Sequence, residues 1–383
     1  MAHTPEATPR PTKWGFAALF GVVGALVVAL VVMAFVWPTA TAEAQNLPVG
    51  ISGPDEAVSA IEEVLAEQDP SPLALESVDS REDAVQRIEQ RELYGAILLG
   101  DQPEVLLASA ASPAAAQALR GIATQLQSRI DDTAQKALTA QLTAIVGALQ
   151  AGQAPQLPDG AAGGIPEIPT VTVTDVVPLA DGDPTGSGIG ASLFPLVLGG
   201  MLAGILLTLL VQGVVRRLVG LLVFGVVAGA LIVLVMQTWF GILAGDWLLN
   251  AAVVATSVTA TGAFIIGMAA LIGPPGIGIA AVVTMLIANP ISAAAIPVQF
   301  LPEPWGAVGQ WFVPGASANL LRSTSYFPDA STTAQWLILA AWIVGGVLLA
   351  LIGHRRNAAE LAPAPQQLER EPERKPEPEP VTV

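Results

Sequence analysis

Apolar residues in this chain come in long runs rather than in alternation. The runs cover 14–37, 192–215, 218–240, 247–272, 277–300 and 333–353, and none of them contains an ionised side chain. Each is about the length needed to cross a hydrocarbon layer roughly 30 Å thick. The fifth run is the exception in form, because Pro290 and Pro297 prevent one helix from reaching Phe300. From Pro274 to Asn289 only about 24 Å of helix is available, short of the core thickness. The expected fold class is a polytopic α-helical membrane protein with six spans, one followed by five, and an extracytoplasmic α/β domain between the first two. The organisation follows: a cytoplasmic segment 1–13, a first span 14–37, an acidic domain 38–190, a membrane domain 191–353 with a re-entrant or interfacial loop 289–329, and a Pro/Glu-rich tail 354–383 expected to be disordered. The first span reads as a signal anchor, its apolar core being longer than the 7–15 residues of a cleaved signal, although Ala40-Thr41-Ala42 also fits a cleavage pattern.

The pattern changes between the first two runs. Residues 46–52, 73–78, 93–100, 104–109 and 170–177 have the length and apolar content of strands. Helices are expected from Pro54 to about Gln68, from an N-cap at Ser80 to about Glu92, and from Ser112-Pro113 to about Gln150. Alternating strands and helices favour an α/β domain. The last helix would be about 58 Å long. Two readings stay open for it: a helix kinked at Gly121 or Gly147 and packed on its own sheet, or a stalk that pairs with a second copy of the chain.

Charge sharpens the division. The net charge is −16, and residues 38–190 carry 22 acidic against 6 basic residues, while the rest carries 10 of each. This balance argues against nucleic acid as a partner and leaves the lipid bilayer as the first one. With the N-terminus cytoplasmic, Arg10, Lys13, Arg216, Arg217, Arg355 and Arg356 fall inside and only Arg322 lies in a short outer loop. Both termini are therefore expected in the cytoplasm, in a bacterial plasma membrane. All eight tryptophans lie outside 38–190, and five of them mark run ends; Trp342 falls inside the last run. Gly21/Gly24, Gly200/Gly204 and Gly225/Gly229 offer small surfaces for close helix approach.

Candidate chemistry is sparse. The chain has no cysteine and two histidines, His3 and His354, so neither a thiolate nor a histidine-ligated metal site is expected. Gly186-Ser187-Gly188-Ile189-Gly190 lacks the lysine of a phosphate loop and reads as a linker. Gly315-Ala316-Ser317-Ala318-Asn319 is not a nucleophile elbow. Arg81, Arg87 and Arg91 sit among carboxylates as a solvated helix face would. The runs hold neutral polar residues only, which disfavours a proton-driven carrier. No enzymatic activity and no cofactor are expected. Glu303 lies 19 residues before Arg322, and an ion pair between them is expected to hold down the Trp305–Phe312 segment.

Five short patterns follow one another after the broken run: Asn289-Pro290-Ile291-Ser292, Leu301-Pro302-x-Pro304-Trp305-Gly306, Gly309-Gln310, Pro314-Gly315-Ala316 and Leu321-Arg322-Ser323. Together they resemble the last outer loop of type 2 ABC exporter permeases and the related phage infection protein (Pip-like) group, whose layout of one span, a large external domain and five spans is also similar. The resemblance implies a permease-like subunit that works as a homodimer with a separate cytosolic ATPase and exports a hydrophobic or amphipathic compound or an envelope component. It implies a gate or loop role for Asn289, Pro290, Glu303, Pro304, Trp305, Gly315 and Arg322. It also places the cytoplasmic contact at Arg216 and Arg217, where the loop is too short for a coupling helix of its own. That contact is then either lost or made by span ends and the tail. The other class of function is a non-transporting envelope protein whose external domain binds a surface ligand or partner.

Overall fold

The computed structural model describes residues 14–66, 70–150 and 168–360. The expected segment 1–13, most of the loop after Gly152 and residues 361–383 of the tail lie outside the described residues. Among the described residues, five helices are long and apolar enough to cross a membrane: α1 (Trp14–Ala40), α5 (Ser187–Leu210), α6 (Val214–Val233, continued by a wider turn to Trp239), α7 (Trp247–Ile272) and α11 (Thr333–Glu360). The protein is a polytopic helical membrane protein. The expected fifth span is a shorter apolar helix, α8 (Pro274–Val282), continued by a π turn to Ala288. α11 carries on past His354 to Glu360, so the expected disordered tail is helical in its first residues.

The segment between α1 and α5 forms a five-stranded sheet in the order β2-β1-β3-β4-β5, with β1 at Leu47–Ser52, β2 at Leu73–Ser77, β3 at Gly95–Leu98, β4 at Glu104–Leu107 and β5 at Thr172–Asp175. β3 and β4 form an antiparallel hairpin; the other pairs are parallel. Successive side chains face opposite sides of a strand, and this splits the apolar residues into two cores. Val49, Ile97, Val105 and Leu107 meet Ala115, Ala116 and Leu119 of α4 (Pro113–Gln150). Ala96 and Leu106 meet Ala84 and Ile88 of α3 (Arg81–Glu89). The Ser80 hydroxyl accepts from the Asp83 amide at 3.1 Å, the N-cap expected of α3. The remaining helix, α2 (Asp55–Ala66), packs through Leu65 on the α4 side.

α4 takes neither expected form whole. It runs unbroken through Gly121 and Gly147. Its first turns are buried on the sheet, whereas Leu138, Leu142, Val146 and Leu149 farther along are exposed.

α7 is the hub of the membrane part: 61% of its apolar window is buried, against 33% or less for the other four helices. Close approach explains how so many neighbours fit. A methyl on Gly200 of α5 would sit 2.8 Å from the Val258 carbonyl oxygen, and one on Gly229 of α6 would sit 2.5 Å from that of Ala251. Gly21 and Gly24 of α1 meet nothing within 4 Å, so that expected surface is unused among the described residues. Near its end α1 packs Phe35 against Phe194 and Trp37 against Trp305, and it also meets the turns Val283–Ala288 and Pro290–Ser292.

Between α8 and α11 the chain turns into the bundle and out again. α9 (Trp305–Gly309) leads to α10 (Val313–Tyr326). Phe312, Val313 and Pro314 lie beside Thr261 and Phe264, which are about 21 and 26 Å along α7 from Trp247 at 1.5 Å per residue. At its other end, the Thr324 hydroxyl donates to Oδ1 of Asn250 at 2.8 Å, near the start of α7. α10 therefore runs alongside α7, and Val313, Ala316, Ala318, Leu320 and Leu321 belong to the bundle core. The inward turn also accounts for Trp342: its indole N–H donates to the Trp311 carbonyl at 2.9 Å.

Candidate functional site

The α/β domain meets the α9–α10 segment through a cluster of polar side chains. Gln90 caps the C-terminus of α3, and the next residue, Arg91, holds a left-handed backbone with φ 62°. That position after a helix is normally taken by glycine, because a Cβ there costs roughly 1–2 kcal/mol. The turn aims the arginine at α10. Its Nη1 donates to the Asn319 carbonyl at 3.1 Å, to Asn319 Oδ1 at 2.6 Å and to the Ser323 hydroxyl at 2.6 Å. The guanidinium carbon stands 5.4 Å from the centre of the Phe327 ring, within cation–π range. Phe327 itself is 1% exposed and sits in the α3-side core of the domain. Tyr94 adds a hydroxyl bond to Gln299 Oε1 at 3.2 Å.

Arg322 enters the same cluster from α10. It is 7% exposed, and its Nη2 donates to the Ala294 carbonyl at 3.0 Å. Gln310 ties the loop to itself, donating to the Ser292 carbonyl at 3.0 Å. Between these groups lies a cavity of about 30 Å³ lined by Arg91, Tyr94, Ser292, Gln310, Asn319 and Arg322 together with apolar residues and Gly315. No carboxylate among the described residues lines it. The four ion pairs among the described residues are Arg81–Glu104, Arg87–Glu76, Arg87–Glu92 and Arg120–Asp175, none of which involves Arg91 or Arg322. Burial, and then the charge of Arg322, pull the Arg91 guanidinium down to about 10. Burial pushes the Tyr94 hydroxyl up.

The expected ion pair between Glu303 and Arg322 is not formed. Glu303 is exposed and makes no ion pair among the described residues, while Arg322 is turned inward to a carbonyl. A buried guanidinium can be satisfied by backbone oxygens, and the short Leu301–Trp305 turn carries its carboxylate to the surface. Of the other candidate loop residues, Asn289 ends the π turn and its carbonyl accepts from the Ser292 amide and hydroxyl. Pro290 opens a 3₁₀ turn. Pro304 precedes α9, and Trp305 stacks edge-on against Trp37 of α1 at 6.3 Å. Gly315 is needed for packing: a methyl there would lie 2.3 Å from the Gly309 carbonyl oxygen. Arg216 and Arg217 sit at the far end, in the first turn of α6, where Arg217 Nε donates to the Val211 carbonyl at 2.7 Å.

Arg91, Tyr94 and Asn319 escaped the sequence reading. Arg81 and Arg87 do form the solvated pairs expected of them; Arg91 does not. The one local sign was an arginine where a helix C-terminus favours glycine.

The Gly186–Gly190 linker is closed by its own chain. Asp183, 6% exposed, accepts from the Ser187 and Gly188 amides at 3.1 and 2.7 Å, so the start of α5 is already capped by a carboxylate. Comparison with protein-family models, with curated proteins and with solved structures finds no match.

Proposed function

We propose that this chain is a permease-like subunit of an ATP-driven exporter, acting as a pair of copies with a separate cytosolic ATPase on a hydrophobic or amphipathic compound or an envelope component. In this reading the α/β domain is extracytoplasmic, both termini are cytoplasmic and the membrane is a bacterial plasma membrane. The observation that carries it is the α9–α10 loop. It is packed into the bundle beside the short α8 and is bonded to the α/β domain through Arg91 and Phe327. A simple anchor has no use for a broken span whose loop is tied to an outer domain, whereas a transporter needs irregular backbone at membrane depth. Pairing of two copies is supported by the far half of α4. Leu138, Leu142, Ile145 and Leu149 are spaced four, three and four residues apart, the seam of a two-helix coiled coil.

A second reading, a non-transporting envelope protein, is favoured by the connection between α5 and α6. It is only Val211–Gly213, with no room for a coupling helix. Purification of the chain from its native membrane in mild detergent separates the two. The exporter reading expects a nucleotide-hydrolysing subunit to remain bound. Its absence, with only other envelope proteins retained, would favour the second.

A further inference from the structure

The geometry points to an oxyanion-binding site between the α/β domain and α10, built from Arg91 and Arg322 and suited to a phosphate group. The site holds whether or not the chain transports anything, since it rests on the cavity alone.

Two guanidinium groups line one small cavity that has no carboxylate among the described residues of its wall. Arg322 is buried and Arg91 half-buried, and placing like charges together with little water is costly unless an opposite charge joins them. Each guanidinium carries five N–H donors. Arg91 spends only Nη1 on protein acceptors and Arg322 only Nη2, so the Nε and second Nη of each have no protein partner among the described residues. Their protein acceptors are carbonyl, amide and hydroxyl oxygens, which orient a guanidinium without neutralising it. The Tyr94 hydroxyl and the amide of Gln310 complete a polar wall.

Size narrows the ligand. A water needs roughly 10–15 Å³ of such space, so about 30 Å³ takes about two waters or one compact oxyanion head. Planar guanidinium forks match phosphate and carboxylate oxygens in pairs. Two of them favour the group that can carry more charge and more oxygens, which is phosphate. Such a group has two sources at this place, the headgroup of an anionic phospholipid or a free phosphate, and both would cross-link α3 to α10. A bound anion would thereby stiffen the joint between domain and loop.

The test uses the full chain purified in a neutral detergent, with its melting followed by tryptophan fluorescence. Inorganic phosphate is titrated against chloride at constant ionic strength. In parallel, melting is compared in nanodiscs of phosphatidylcholine with and without phosphatidic acid. A rise in melting temperature with inorganic phosphate assigns the site to a soluble phosphate; a rise only with phosphatidic acid assigns it to a headgroup. In either case Arg91→Gln and Arg322→Gln should each weaken the apparent affinity by at least about tenfold, and Arg322→Lys should retain part of it. No response of the wild-type protein to either probe would overturn the site. So would a response of undiminished affinity in both glutamine variants.

Discussion

Arg91 Nη1 lies 2.6 Å from the hydroxyl of Ser323, a bond that joins the end of α3 to α10 across 232 residues of chain. The left-handed turn that aims this side chain is kept although glycine would relax it. Bonds from a charged donor are worth ~1.5–3 kcal/mol each, more than the ~1–2 kcal/mol the backbone conformation costs. Arg91→Ala should therefore loosen the joint, seen as faster amide exchange in the last two turns of α10. Arg91→Gly, which loses the bonds but relieves the backbone, should loosen α10 as much while leaving α3 the more stable of the two variants. Unchanged exchange in α10 for both would show that the bond does not hold the loop.

Glu303 and Arg322 should behave as strangers. Glu303 is exposed, so Glu303→Ala should change stability by no more than ~0.5 kcal/mol. Arg322→Ala should leave the Ala294 carbonyl without its donor and empty part of the loop's packing, costing ~1–3 kcal/mol. A double-mutant cycle by thermal denaturation should give no coupling between the two sites. A clear coupling energy would restore the ion pair.

The far half of α4 offers a direct check on pairing. The chain has no cysteine, so single cysteines can be introduced without background. Leu142→Cys on the exposed seam should form a disulfide-linked dimer under mild oxidation, and Gln141→Cys, off the seam, should do so much less. Equal yields, or none from either, would remove the coiled-coil pairing.

Acid should act at Glu104. Its hydrogen bond from Arg81 holds the carboxyl below its ordinary value; burial opposes this, and the Thr174 hydroxyl assists it. A carboxylate lowered in the folded state adds stability above its unfolded pKa of ~4.3 and loses it as pH falls through the folded one. Glu104→Gln should thus lower stability slightly at neutral pH and flatten the decline below about pH 4.3. The Arg81 side chain is 47% exposed, so the effect should stay below ~1 kcal/mol. An unaltered acid limb in the melting-temperature profile would contradict this.

Local pattern was enough for the elements and insufficient for the joint between them. The Ser80 cap, the five strands and the break at Pro290 were legible because each depends on neighbouring residues: capping geometry, period-2 burial and the missing proline N–H. The partnership of Arg91 with Asn319 was not, since periodicity carries no information on contacts 228 positions apart. The same gap put Glu303 with Arg322 on sequence nearness and charge alone. Trp342 looked misplaced inside a span until the inward path of residues 305–312 brought the Trp311 carbonyl to it. The division of α4 into a packed near end and an exposed far end was also hidden, because both halves carry a similar apolar stripe and only the length of the sheet decides where packing stops.

Coupling between the α/β domain and an energised membrane path is the centre of the functional proposal, and nucleotide hydrolysis reads it most directly. The measurement is the ATPase rate of detergent preparations purified through this chain, compared between wild type and Arg91→Ala at matched amounts of protein. The proposal predicts hydrolysis in the wild-type preparation and a changed rate in the variant, with the same subunits present. Preparations of both proteins that contain no hydrolysing subunit, or that hydrolyse ATP identically with Arg91 removed, would contradict it.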